Sequence, residues 1–232
     1  MSITTKLVQT YHKGDYYMHQ IKNTDPYQYI SKIYDMVIEP LSKGLRQYGL
    51  KFYPVSQDKN VLDIGCGTGS NLFLYKQLGC SIYGIDPSIH MLEMAQKKLG
   101  PTAHLIQGDA TQITFDNDSF DFILICMVLH ELAQDTRHKI LKEIKRVLKP
   151  DGRLLIIDYH PGPLTFPKGY MFKCVTTCLE ILAGTEHYSN YKDFISRHGL
   201  NDLLNDHQFI IEKSKCVSGG NIGLTLLRKN ID

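Results

Sequence analysis

No two of the six cysteines stand in C-x-x-C spacing, and no spacing among them fits a zinc finger. The thiols at 66, 80, 126, 174, 178 and 216 are read as reduced and mostly buried, and no metal centre is expected. No stretch reaches the ~18 apolar residues of a membrane-spanning helix. The amino terminus, MSITTKLVQTYHKGDYY, lacks the unbroken apolar core of a secretory signal. Both absences predict a cytoplasmic protein with no stable membrane span. Strong charge is missing too: 26 basic and 24 acidic side chains leave a net charge of +2. So small a field does not predict nucleic acid as a partner. The most basic stretch, TRHKILKEIKRVLK (136–149), sets Lys139, Lys142, Lys145, Arg146 and Lys149 against Ile140, Leu141, Ile144 and Leu148 at helical spacing. That is a solvated helix face over a buried one. Internal repeats and low-complexity tracts are lacking as well, and nothing in the sequence assigns an oligomeric state.

What remains is an ordinary globular composition, 43% apolar and 22% charged over 232 residues, which suits a single domain. Asp25 and Pro26 mark a helix start, with helix expected to about Tyr48 and a break at Pro40. From Val61 onward, short apolar runs alternate with amphipathic stretches: NVLDIG, SNLFLYKQLG, SIYGID, SIHMLEMAQKKLG, AHLIQGD, SFDFILICMV, QDTRHKILKEIKRVLK and GRLLIIDY. Strand and helix in alternation predict an α/β protein with a doubly wound, mostly parallel sheet. The proline-rich HPGPLTFPKG breaks the pattern after Asp158, and helical candidates follow at 170–184, 189–199 and 200–206. Two final strands, separated by SGG, are expected to close the sheet as an antiparallel pair. The expected layout is an N-terminal helical cap (1–58), a core (59–159), a helical acceptor-side insertion (160–206) and C-terminal strands (207–232).

The stretch VLDIGCGTGSN (61–71) places three glycines directly behind an apolar run. A strand turning through glycines into a helix is a nucleotide signal, and the commonest form is the dinucleotide fingerprint G-x-G-x-x-G/A. Here Ser70 occupies the third position of the fingerprint, and the third glycine, Gly69, comes one residue early. Asp63 would also repel a pyrophosphate, whereas it suits a ligand carrying an ammonium group. Asp86 ends the next strand at the distance where a carboxylate accepts ribose hydroxyls. Asp109 ends the strand after that. A ligand with an ammonium end, a ribose diol and an adenine amino group satisfies all three acids, and S-adenosylmethionine is such a ligand.

VLDIGCGTGSN, GIDPSIHML, GDAT, NDSFDFILICMVLHEL and RVLKPDGRLLIIDY stand in the order of the class I S-adenosylmethionine-dependent methyltransferases. Over about 25–160 the chain resembles that family, and within it the ubiquinone and menaquinone C-methylases. The resemblance implies a Rossmann-like seven-stranded sheet with S-adenosyl-L-methionine as cofactor. It implies that Asp63, Gly65, Cys66, Gly67, Gly69 and Asn71 shape the methionine end and that Asp86 holds the ribose. Pro87 and Met91 would flank the adenine, Asp109 and the amide of Ala110 would read its edge, and Cys126 and Met127 would border the sulfonium. In the resembling family the amino-terminal helices close over the cofactor, which brings in Tyr34 from the tyrosine-rich start of the chain.

Methyl transfer asks chiefly for in-line positioning and exclusion of water, with a base where the acceptor must lose a proton. His130, just beyond the fourth strand, is one candidate base, with helix packing as its alternative role. His187, in the insertion, is the other, with a surface loop as its alternative. Glu131 is expected to face solvent. Cys174 and Cys178 are expected as buried small residues, and the apolar face of 171–182 as the lining of a greasy acceptor pocket or a cover for the sheet edge. Lys168 and Lys173 offer flanks for peripheral membrane contact. The expected activity is O- or C-methylation of a small, fairly apolar acceptor. N-methylation of a small amine or phospholipid headgroup, or cofactor binding without catalysis, are the alternatives.

Overall fold

The apolar runs become strands and the amphipathic stretches between them helices in a computed structural model that describes residues 31–230, the side chains of 31–41, 205 and 206 excepted. Helix α1 (Ser31–Phe52) is followed by β1 (Asn60–Ile64), α2 (Ser70–Gln77), β2 (Ser81–Asp86), α3 (Ile89–Leu99), β3 (His104–Gln107) and β4 (Phe120–Cys126). A short 3-10 turn (Leu129–Glu131) leads to α4 (Gln134–Val147) and β5 (Leu148–Tyr159). Helices α5 (Lys168–Leu182), α6 (Thr185–Ser196) and α7 (Leu200–His207) then precede β6 (Phe209–Val217) and β7 (Ile222–Lys229).

The strands form one seven-stranded sheet in the order β3-β2-β1-β4-β5-β7-β6. Strands β1 to β5 pair in parallel, and β7 lies antiparallel between β5 and β6. This is the expected doubly wound sheet with its antiparallel C-terminal pair. Alternate strand residues feed opposite faces, as the pleat requires. Leu62, Ile64, Ile123, Ile125, Leu154 and Ile156 join a core under α4, α6 and α7. Val61, Phe122, Leu124, Leu155 and Ile157 join another under α1, α2 and α3. Both faces are covered, so the central strands carry apolar residues at nearly every position.

The sheet brings the carboxyl ends of β1, β2, β4 and β5 to one rim. Strand order reverses between β2-β1 and β4, and a crevice opens where successive connections leave on opposite faces.

Several expectations need correction. Helix α1 runs through Pro40 without a break and ends at Phe52, while the expected start at Asp25 lies outside the described residues. Cysteine burial is half of what was expected: Cys66 and Cys80 are buried and Cys126 is partly buried, but Cys174, Cys178 and Cys216 are exposed. Helix α5 carries its apolar face outward, because its inward side is given to Glu180 and to the half-buried Lys173, which bonds Tyr191. The basic face of α4 is only partly solvated. Arg146 folds back onto the carbonyls of Ile113 and Phe115, and Lys149, expected on this helix, lies in β5 and pairs with Asp121.

Candidate active site

The loop after β1 is pinned to β2, since the N–H groups of Gly65 and Cys66 both donate to the carbonyl of Ile85. Gly65, Gly67 and Gly69 take positive φ values of 68°, 51° and 76°, which turn the chain sharply into α2. At Gly65 a side chain has no room, because an added Cβ would stand 2.5 Å from Val128 Cγ2. At Gly67 an added Cβ would meet no atom of the described residues within 4 Å, so the loop leaves an open cradle there.

Asp63 lies beneath this loop and is only 1% exposed. Neither carboxylate oxygen has a hydrogen-bond partner among the described residues. Burial pushes its pKa up to about 7, against the opposing pull of the Asn71 amide and the Arg46 charge. A buried carboxylate without partners is costly, and such groups are kept where a ligand completes them. With the open cradle at Gly67, this fits the ammonium end of S-adenosylmethionine.

Asp86 ends β2 with one oxygen accepting the Gly67 N–H at 2.8 Å and the other the Ser88 N–H at 2.9 Å. The carboxylate is thereby fixed in orientation, with lone pairs left for a diol. Ser88 caps α3 by accepting the Met91 N–H at 3.2 Å, and Met91 is buried beside Pro87, which is exposed. Asp109 is exposed beyond β3 and accepts the N–H of Thr111 at 2.8 Å, with Ala110 partly buried. Cys126 ends β4, its thiol pushed up to about 12 by burial and by the charge of Asp63, and Cys66 is raised well above the usual thiol range by burial. Met127 follows at φ 58°, a left-handed backbone held by its N–H on the Ile157 carbonyl. Tyr34 has its backbone in α1, but its side chain lies outside the described residues.

A second cluster sits where β4 and β5 end. His130 is 3% exposed, its Nδ1 2.7 Å from Oδ1 of Asp158. The other Asp158 oxygen accepts the N–H of Leu129 at 2.9 Å, so this carboxylate also holds the turn after β4. His130 Nε2 faces Glu180 Oε1 at 3.6 Å, and Tyr159 donates its hydroxyl to the same oxygen at 2.8 Å. His187, on α6, bridges Glu180 at 2.8 Å and Glu131 at 2.5 Å. Burial alone would lower the pKa of His130, but the charge and hydrogen bond of Asp158, with Glu180 and Glu131, outweigh it and raise the imidazole. His187 is raised mainly by its hydrogen bond with Glu131. Both histidines therefore lie in one network, His187 on a helix rather than a loop, and Glu131 is paired rather than free in solvent.

Asp158, Glu180 and Arg137 were not singled out from sequence. Asp158 carried a readable signal, an acid closing an apolar strand as Asp63 and Asp86 do. Arg137, 1% exposed, ties α6 to the turn by donating to Leu129 O, Asn190 O and Asp193. It was hidden within a basic run.

Residues 62–156 match the methyltransferase domain family. The demethylmenaquinone methyltransferase of Paenarthrobacter aurescens is 34% identical over 133 residues, 55% of this chain and 51% of that protein. An uncharacterised methyltransferase of Synechocystis is 27% identical over 184 residues, 79% of this chain and 82% of that protein. The chain spans about half the length of most of the curated relatives it matches. Among solved structures, a SAM-dependent methyltransferase from Aquifex aeolicus superposes with a TM-score of 0.60 at 22% identity, covering 85% of this chain and 97% of that one. That likeness is one of fold.

Proposed function

From the premise that residues 62–156 match the methyltransferase domain family, we propose that the chain is a class I S-adenosylmethionine-dependent enzyme that methylates an oxygen or carbon of a small, fairly apolar acceptor in the cytoplasm. One observation carries the reading: Asp63 is a buried carboxylate with no hydrogen-bond partner among the described residues, set under a glycine loop with open space above it. A charge-assisted bond to an ammonium group would complete it, and a diphosphate would be repelled.

The cofactor, when bound, supplies a methyl group on a sulfonium, already activated for displacement. Asp63 and the Gly65–Gly69 loop, with Cys66 and Asn71, hold the methionine end. Asp86 holds the ribose, and Pro87, Met91, Asp109 and Ala110 hold the adenine. Cys126 and Met127, at the end of β4, would border the sulfonium. Near-attack alignment of this kind can contribute ~7–11 kcal/mol to lowering a barrier. His130 takes the acceptor's proton at Nε2, while Asp158 keeps the Nδ1–H in place and stabilises the imidazolium that forms. His187 is the second candidate for that role. The demethylmenaquinone methyltransferase relatives favour a carbon or oxygen acceptor. The carboxylates of Glu180 and Glu131 near His130 and His187 favour an amine acceptor as the second reading.

The test is S-adenosylhomocysteine release from S-adenosylmethionine with quinols, phenols and amines supplied in parallel, beside calorimetric titration with S-adenosylhomocysteine and NAD. Binding of S-adenosylhomocysteine and turnover on a quinol or phenol are expected. Turnover on amines alone would replace the leading reading with the second. Binding without turnover on any class would leave a cofactor-binding module, and NAD binding in its place would overturn the account.

A further inference from the structure

Helix α5 is the most apolar of the helices, yet it contributes no side chain to either core cluster. Its buried residues are Gly169 and Glu180. The inward side is polar: Glu180 meets His130 and His187, Lys173 bonds the Tyr191 hydroxyl, and Thr176 accepts from Asn221. The outward side carries Phe166, Tyr170, Met171, Val175, Leu179 and Leu182, all exposed, from 43% at Leu179 to 86% at Phe166. Cys174 and Cys178 are exposed between them. Positions 171, 175, 178 and 182 recur at helical spacing, so these side chains form one continuous stripe. A contiguous apolar patch of this kind on a folded chain marks a docking surface.

The charges on this face say what docks there. Between Pro161 and Ala183 the sole acid is Glu180, and it points inward. Lys168 is exposed, its ammonium 5.8 Å from the Phe172 ring centre. Phe166 and Tyr170 stand two residues to either side of it in sequence, their ring centres 6.3 Å apart. A cation with two aromatic rings at one end of an apolar stripe, and no exposed anion between Pro161 and Ala183, complements the headgroup and acyl boundary of a phospholipid layer. Leu179 is exposed and its neighbour Glu180 is buried against His130, so the docking face and the site belong to different faces of one helix.

We propose that the outer face of α5, with the loop that precedes it, docks this protein on an anionic phospholipid surface by shallow insertion of its apolar side chains. The docking does not depend on the methyl-transfer reading, and its test needs no acceptor.

Cys174 and Cys178 are native reporters of this face. The full chain is treated with a maleimide with and without vesicles of phosphatidylcholine and phosphatidylglycerol, and labelling at each cysteine is followed by peptide mass spectrometry. Vesicles should slow labelling of both thiols by about ten-fold or more, and Leu182→Glu, at an exposed position, should abolish that protection. Equal rates with and without vesicles would overturn the proposal. So would protection in vesicle-free solution: if it rises with protein concentration, a second copy covers the face, and if it is independent of concentration, another segment of the same chain does.

Discussion

One carboxylate, Asp158, holds both the imidazole of His130, 2.7 Å from its Oδ1, and the backbone of the turn carrying it, through the Leu129 N–H at 2.9 Å. Ring orientation and strand-end geometry therefore share a single anchor.

Asp158→Asn replaces one acceptor oxygen with a donor among groups that already donate. The charge that outweighs burial at His130 is lost, so the imidazole pKa falls. Turnover should drop by about 10²–10⁴-fold, and the rising limb of the pH–rate profile should move to lower pH. Ring-proton NMR titration of His130 beside the pH profile checks this. An unmoved limb would mean that His130 is not the base.

Asp63 couples stability to binding. Its folded-state pKa of about 7 lies above the ordinary 3.8. The native state therefore holds a proton that the unfolded chain releases, and the group favours the fold most below 3.8 and loses that contribution as pH rises through about 7. Asp63→Asn should stabilise the ligand-free protein at pH 8 by about 2–4 kcal/mol, with little gain at pH 4. The same variant should bind S-adenosylhomocysteine about 100-fold more weakly, since a charge-assisted bond is lost. Thermal unfolding at the two pH values, with and without S-adenosylhomocysteine, reads both effects.

His187 fastens α6 to the turn after β4 through Glu131 and to α5 through Glu180. Its folded-state pKa is raised, so the stability it supplies is fully present below about 6.5 and lost as pH climbs through the raised value. In His187→Gln, amide hydrogen exchange across α6 should be faster than in the parent at pH 6 and should converge with it at high pH. Equal exchange at pH 6 would remove the latch.

Two glycines of one loop should fail differently. Gly67→Ala places its methyl in open space, so beyond a backbone cost of about 1 kcal/mol for its positive φ the protein should fold. Its affinity for S-adenosylhomocysteine should nevertheless fall by more than ten-fold, because the cradle is filled. Gly65→Ala adds a 2.5 Å clash with Val128 and should lose folded protein outright. Urea denaturation and calorimetry separate the two outcomes.

The parallel sheet and the loop around Gly65 were legible because strand periodicity and glycine spacing are local properties. The place of Asp86 at the end of the second strand followed from the same spacing. The direction of α5 was not legible: its apolar stripe reads as core by pattern, and the long-range contacts of Glu180 with Tyr159 and of Lys173 with Tyr191 turn that stripe outward. The ion pair of His187 with Glu131 spans 56 residues of sequence, so neither partner announces the other. Asp158 was legible in principle, as a carboxylate closing an apolar strand like Asp63.

Strand β7 sits inside the sheet, between β5 and β6, although it is made after both. During synthesis β6 emerges before the strand it joins, and β5 waits with an open edge while sixty-odd residues are added. The β7 side of β5, the strand that carries Asp158, can therefore pair only after Ile222–Lys229 is made, and nascent chains halted before Ile222 would offer two unpaired β edges to one another and to chaperones.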